Sequence, residues 1–154
     1  MHSIIIQVSQ ERFIKDDWLI ADDFIGNGFV GSIADYVVDR NEEERLKDIE
    51  WLKERLGGIF EVFNDGKDVK MRIITNGRQA HFKEQLAKLK SMISVMTLDE
   101  FCNGTTSHIV SELIDDKYSF YIHWDGIWQT VDSFIRQAAE GEEYYIGGTL
   151  DYHA

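Results

Sequence analysis

Proline is absent from this chain of 154 residues, and cysteine occurs once, at Cys102. Without proline, against a usual share of about 5%, every chain reversal must come from Gly, Asn or Asp. The dipeptides Asn27-Gly28, Asp65-Gly66, Asn76-Gly77, Asn103-Gly104 and Asp125-Gly126 are placed to supply them. One cysteine excludes an intrachain disulfide and a four-thiolate zinc site, and fits a reducing compartment. Long apolar runs are missing too. Nothing approaches the ~20 residues of a membrane-spanning helix. The opening MHSIIIQVS has a short apolar run and no basic flank, so it is expected to be a strand rather than a secretory signal. The expected setting is the cytoplasm, with no membrane partner.

What is present is acid and aromatic. The formal net charge is −12, and four Trp, six Tyr and nine Phe supply bulky core or interface material. With 44% apolar residues the chain is too hydrophobic to be disordered, and its length fits one domain, 1–154. The charge is segregated. Residues 15–50 hold 4 Lys/Arg against 11 Asp/Glu, residues 67–90 hold 7 against 2, and residues 98–154 hold 2 against 11. Such asymmetry speaks to partners rather than to fold.

Periodicity and turn signals lay out the elements. Ser3–Val8 is the first strand. Glu11–Ile25 fits neither template and is expected to be irregular. Ser32 and Asp35 resemble a capping box opening a helix after Gly31. Asn41 and Glu44 cap a helix over 42–56, with Leu46, Ile49, Leu52 and Leu56 on its core face. Ile59–Phe63 and Val69–Thr75 form a hairpin around Asn64-Asp-Gly-Lys-Asp68, in which Val69, Met71 and Ile73 face one way and Lys70 and Arg72 the other. Residues 78–95 form a helix with Phe82, Leu86, Leu89, Ile93 and Met96 at core spacing. Thr97 and Glu100 cap further helix to about Ile114, interrupted at Asn103-Gly104. Tyr118–Trp124 is a strand, Ile127–Ala139 a helix and Tyr144–Tyr152 a closing strand. The order is that of an α+β domain with a mainly antiparallel sheet of about five strands, including the central hairpin 59–75, and four to five helices.

Gly26, Gly28 and Gly31 spell G-x-G-x-x-G, the one motif suggestive of a phosphate loop. A dinucleotide site also needs an acid ending a second strand ~20 residues on, and the nearest acids, Asp48 and Glu50, fall inside the 42–56 helix. Asp22 and Asp23 precede the glycines and would repel a pyrophosphate. Kinase and P-loop partner motifs are missing. The glycines are expected to form a turn, and no cofactor is expected.

His123 with Asp125 and Asp151 with His153 could converge on a zinc-like metal, as a small hydrolase would need, if their strands paired. Cys102 and His108 lack a third residue to orient them as nucleophile and base. Adjacent acids such as Asp115-Asp116 and Glu142-Glu143 point to opposite faces of an extended chain. Lys67, Lys70, Arg72, Arg78, Lys83, Lys88 and Lys90 could line a phosphate-binding surface, but a pI of about 4.7 opposes nucleic acid. They suit internal complementarity, or contact with an acidic region of another copy in a homo-oligomer.

Asp16, Asp17, Trp18, Asp22, Asp23 and Phe24 remain as the candidate partner-binding set. Acids bracketing aromatics suit capture of a basic protein, because charge steers encounter and rings anchor it. An immunity-type or anti-defence inhibitor, without catalysis, is the function this pattern favours. The competing possibility places Trp18 in the core.

Overall fold

The computed structural model describes residues 2–114 and 119–154. Among them seven strands form one sheet, ordered β3-β4-β7-β1-β5-β6, with β2 also on β7. The strands are β1 (His2–Ser9), β2 (Tyr36–Asp39), β3 (Phe60–Asp65), β4 (Asp68–Ile73), β5 (Tyr121–Trp124), β6 (Ile127–Thr130) and β7 (Glu143–His153). The helices are α1 (Glu42–Leu56), α2 (Gly77–Val95), α3 (Leu98–Cys102), α4 (Thr105–Ile114) and α5 (Val131–Gln137), with short 3-10 turns at Lys15–Asp17 and Ala21–Phe24. All pairings are antiparallel except β1 with β5. The α+β class and the β3–β4 hairpin follow the sequence expectation, the hairpin lying at one edge of the sheet.

Both faces of the sheet are covered. Ile4, Ile6 and Val8 of β1 face α1 and α5, against Ile49, Leu52, Phe134 and Ile135. Ile5 faces the other way, into a second cluster with Leu19, Phe24, Phe29 and Ala34. Hence Ser3 to Val8 are all buried. The second layer is no helix or sheet but the strap of residues 10–35, crossing the sheet in two 3-10 turns and a glycine loop.

Strand β7 changes sides partway. Val8 pairs with Ile146 and Ile6 with Thr149, so β7 carries one residue more than β1 at Gly147-Gly148. A bulge of one residue inverts the alternation. Tyr144 and Ile146 therefore face the helices, while Leu150 and Tyr152 face the strap.

Four sequence expectations are corrected. No helix follows Gly31: residues 31–33 turn, Ala34 bridges to Val30 and β2 begins at Tyr36, the short Ser32–Asp35 pattern giving way to the pairing of β2 with β7. Ile127–Thr130 is strand β6, paired to β5 through the Asp125-Gly126 turn, and helix α5 starts only at Val131. Leu46 lies outside the core, because α1 turns Arg45 and Asp48 inward beside Ile49 and Leu52. In α2 only Gly77 is buried, so Leu86 and Ile93 face outward despite their core-like spacing. Tyr118, the expected first residue of β5, and the Asp115-Asp116 pair lie outside the described residues.

Candidate functional site

The strap is pinned by one buried amide. Gln7, on the strap face of β1, accepts from Leu19 N (3.2 Å) and Gly148 N (2.9 Å), and its Nε2 donates to Asp17 O (2.9 Å). A single side chain thus satisfies backbone groups of the strap and of the β7 bulge, which burial makes costly to leave unpaired. Gly147 and Gly148 allow this approach. A Cβ on Gly147 would collide with the Gln7 amide, and one on Gly148 would sit 3.0 Å from Trp18 Cβ and 3.1 Å from Leu19 N.

Trp18 is held from the far side of the sheet. Strand β4 flanks β7 at Glu143–Tyr145 and β2 flanks it at Leu150–His153. In the gap between them the Arg45 guanidinium donates to Ile146 O (2.7 Å) and Gly147 O (2.5 Å). Its Cζ carbon lies 4.5 Å from the Trp18 ring centroid. Trp18 is half-buried, stacked on Arg45 with Lys15 approaching its ring at 5.6 Å. Phe24 lies wholly inside, edge-on to Phe29 at 5.3 Å. Burial therefore removes Phe24 from the expected partner surface, because its ring is needed under the strap.

The four acids divide into two pairs. Asp17 Oδ2 accepts from Ile14 N (3.3 Å) and Asp23 Oδ2 from Ile20 N (3.1 Å), each closing a 3-10 turn. Asp16 and Asp22 are exposed. Beside them Ile14, Ile20 and Ile25 stand 63%, 50% and 69% exposed. Ala21 N donates to Asp39 Oδ1 (2.6 Å), tying the strap to β2, where Tyr36 and Val38 are also exposed. Sequence reasoning missed the isoleucines, because three scattered apolar residues in an irregular segment give no periodic signal.

The four residues proposed for a metal do not converge. His123 pairs with Gln7 and His153 with His2, five residues apart along β1, roughly 16 Å at ~3.3 Å per residue. His123 packs against Phe24 at 5.9 Å, and its burial pushes its pKa down. Asp151 meets His2 (3.1 Å) and Arg40 (3.5 Å), while His153 approaches Asp35 (3.6 Å) and stacks on Tyr36. Among the described residues no three His, Cys, Asp or Glu are arranged to hold a metal ion.

The glycine loop is a turn. Gly26, Gly28 and Gly31 have φ of 90°, 88° and 92°, and the helix N-terminus a phosphate loop requires is replaced by β2. Cys102 is exposed on α3 and His108 sits on α4. In the basic segment, Lys70 binds Asp65 (2.6 Å) and Glu143 (3.1 Å), Arg72 binds Glu61 (2.7 Å) and Lys88 binds Glu84 (2.8 Å). Three of the seven basic residues are thus matched within the chain.

Two polar networks lacked a sequence signal. Asp132 on α5 accepts from Gln85 (2.5 Å) and pairs with His81 Nε2 (2.6 Å), both on α2. Burial would raise the Asp132 pKa, but these two bonds hold it below the usual range. On α1, buried Asp48 accepts from Thr149 Oγ1 (2.7 Å) and lies 3.3 Å from Arg40, burial pushing its pKa up. Both join residues distant in sequence. No protein-family model, curated protein or solved structure matches the chain, and no helix among the described residues is long and apolar enough to cross a membrane.

Proposed function

We propose that this chain is a non-catalytic protein-binding domain that captures a basic protein partner, as an immunity-type or anti-defence inhibitor does. One observation carries the reading: the strap anchors Leu19, Phe24 and Phe29 inward while turning Ile14, Ile20 and Ile25 outward beside Asp16 and Asp22. Exposed apolar side chains on a segment already pinned from beneath can supply the apolar centre of an interface. The acids accelerate encounter with a basic surface, and the apolar side chains hold the complex once formed. Because Gln7 and Trp18 already fix the strap, little ordering entropy is lost on binding.

The test is affinity capture from the source cell with two baits, the native chain and an Asp16→Asn/Ile20→Ser/Asp22→Asn variant. The expected result is a basic protein retained by the native bait and depleted at least tenfold on the variant, with both baits equally folded by circular dichroism. Equal retention on the two baits would contradict the proposal.

A further inference from the structure

Helices α1 and α2 each turn a leucine to solvent and carry complementary stripes. On α2, Lys83, Leu86, Lys90 and Ile93 follow one another at spacings of three, four and three, which at 3.6 residues per turn keeps them within about a quarter of the helix circumference. Leu86 and Ile93 are 50% and 54% exposed, and the ammonium groups of Lys83 and Lys90 make no ion pair among the described residues. On α1, Glu43, Leu46 and Glu50 repeat the same spacing with the charge reversed. Leu46 is 47% exposed, and together with half-buried Trp51 it forms a shallow groove whose remaining walls are Glu43, Lys47, Glu50 and Glu54.

We infer that the α2 stripe docks in the α1 groove of a second copy of this chain. Leu86 meets Leu46 at the centre, and Lys83 and Lys90 flank it opposite Glu43 and Glu50. The match survives reversal of helix direction, since each leucine lies between like charges at three and four residues. Within α1, Glu43 pairs with Lys47 at 2.7 Å and Glu50 with Lys53 at 2.5 Å. Exposed pairs of this kind contribute little, so the glutamates exchange them for intermolecular partners at small cost. Burying Leu46, Trp51, Leu86 and Ile93 supplies the attraction, and the charges set the register and exclude pairing of α2 with α2, where lysines would face lysines. Because donor and acceptor stripes are different patches, a two-fold pair uses the contact twice, once in each direction. This surface is separate from the strap and stands or falls without it.

The experiment is sedimentation velocity over a wide concentration range on four samples. These are the native chain, Lys83→Glu/Lys90→Glu, Glu43→Lys/Glu50→Lys, and an equimolar mixture of the two variants. The native chain is expected to pass from the 17.9 kDa monomer to a dimer or larger species, more weakly in 0.5 M salt. Each variant alone should associate at least tenfold more weakly with unchanged circular dichroism, and the mixture should recover association, because a glutamate-bearing α2 then meets a lysine-bearing α1. A native chain that stays monomeric to millimolar concentration would overturn the inference. So would a variant that associates as the native chain does, or a mixture of folded variants that stays monomeric.

Discussion

Arg45 and Trp18 meet through the sheet. The arginine leaves α1 on one face, caps Ile146 O and Gly147 O in the gap between β4 and β2, and presents its guanidinium 4.5 Å from the ring of Trp18, which belongs to the strap on the other face. One side chain thus joins all three layers. Arg45→Met should cost about 2–4 kcal/mol, because two strand carbonyls lose their donors. Trp18→Ala should cost about 2–3 kcal/mol, below the range for a fully buried ring. The double variant should fall short of the sum by about 1 kcal/mol, the size of a partly desolvated cation–π contact. Urea unfolding of the four proteins checks this, and strictly additive losses would show that the two residues act apart.

Much of the layout was legible because its signals are local. Asn41 and Glu44 form a reciprocal capping box, as do Thr97 and Glu100, and the two-residue turn Gly66-Lys67 sets the β3–β4 register. Errors arose where a short pattern has two solutions. Ile127–Thr130 is four residues long, and only its pairing with β5 makes it a strand. Leu46 and Leu86 have core spacing, but which arc of a helix faces the core is decided by what packs against it. Arg45 and Asp48 are buried because Ile146, Gly147 and Thr149 offer them partners about a hundred residues away. The site was legible in its acids and in Trp18. Its isoleucines, the Gln7 anchor and the burial of Phe24 were not, since each depends on the strap lying across β1.

Two glycine substitutions should separate backbone strain from crowding. Gly28 has φ of 88°, and a Cβ added there would have nothing within 4 Å, so Gly28→Ala should cost about 1 kcal/mol through its backbone alone. Gly147→Ala pushes a methyl into the Gln7 amide and within 3.0 Å of Phe13, and displacing that amide breaks the bonds to Leu19 N and Gly148 N. A loss of about 2–3 kcal/mol is expected. Thermal denaturation of both variants tests the contrast, and equal losses would show that Gln7 does not anchor the strap.

Burial holds the folded-state pKa of His123 below its ordinary 6.5, against a smaller opposing pull from Asp23. The unfolded chain therefore binds more protons between the folded value and 6.5. Stability should fall as pH is lowered through that window. His123→Gln, neutral throughout, should lose less stability than the native chain between pH 8 and pH 5. Urea midpoints at a series of pH values give the comparison, and an equal or larger acid loss in the variant would contradict it.

Asp16→Asn/Asp22→Asn should leave the fold within about 0.5 kcal/mol, as befits exposed residues. Asp17→Ala/Asp23→Ala should cost about 1 kcal/mol, because each removes an acceptor closing a 3-10 turn. Chemical denaturation distinguishes the pairs, and a large loss in the first would assign Asp16 and Asp22 to stability instead of recognition.

The claim that the strap captures a basic partner is tested most directly by association kinetics with the protein that the native bait retains. Biolayer interferometry at 50 mM and 500 mM salt should give an association rate that falls by about tenfold or more, as screening within ~10 Å suppresses steering. Asp16→Asn/Asp22→Asn should slow association several-fold at low salt with little change at high salt, and Ile20→Ser should speed dissociation. An association rate indifferent to both salt and the two aspartates would contradict capture through the acidic strap.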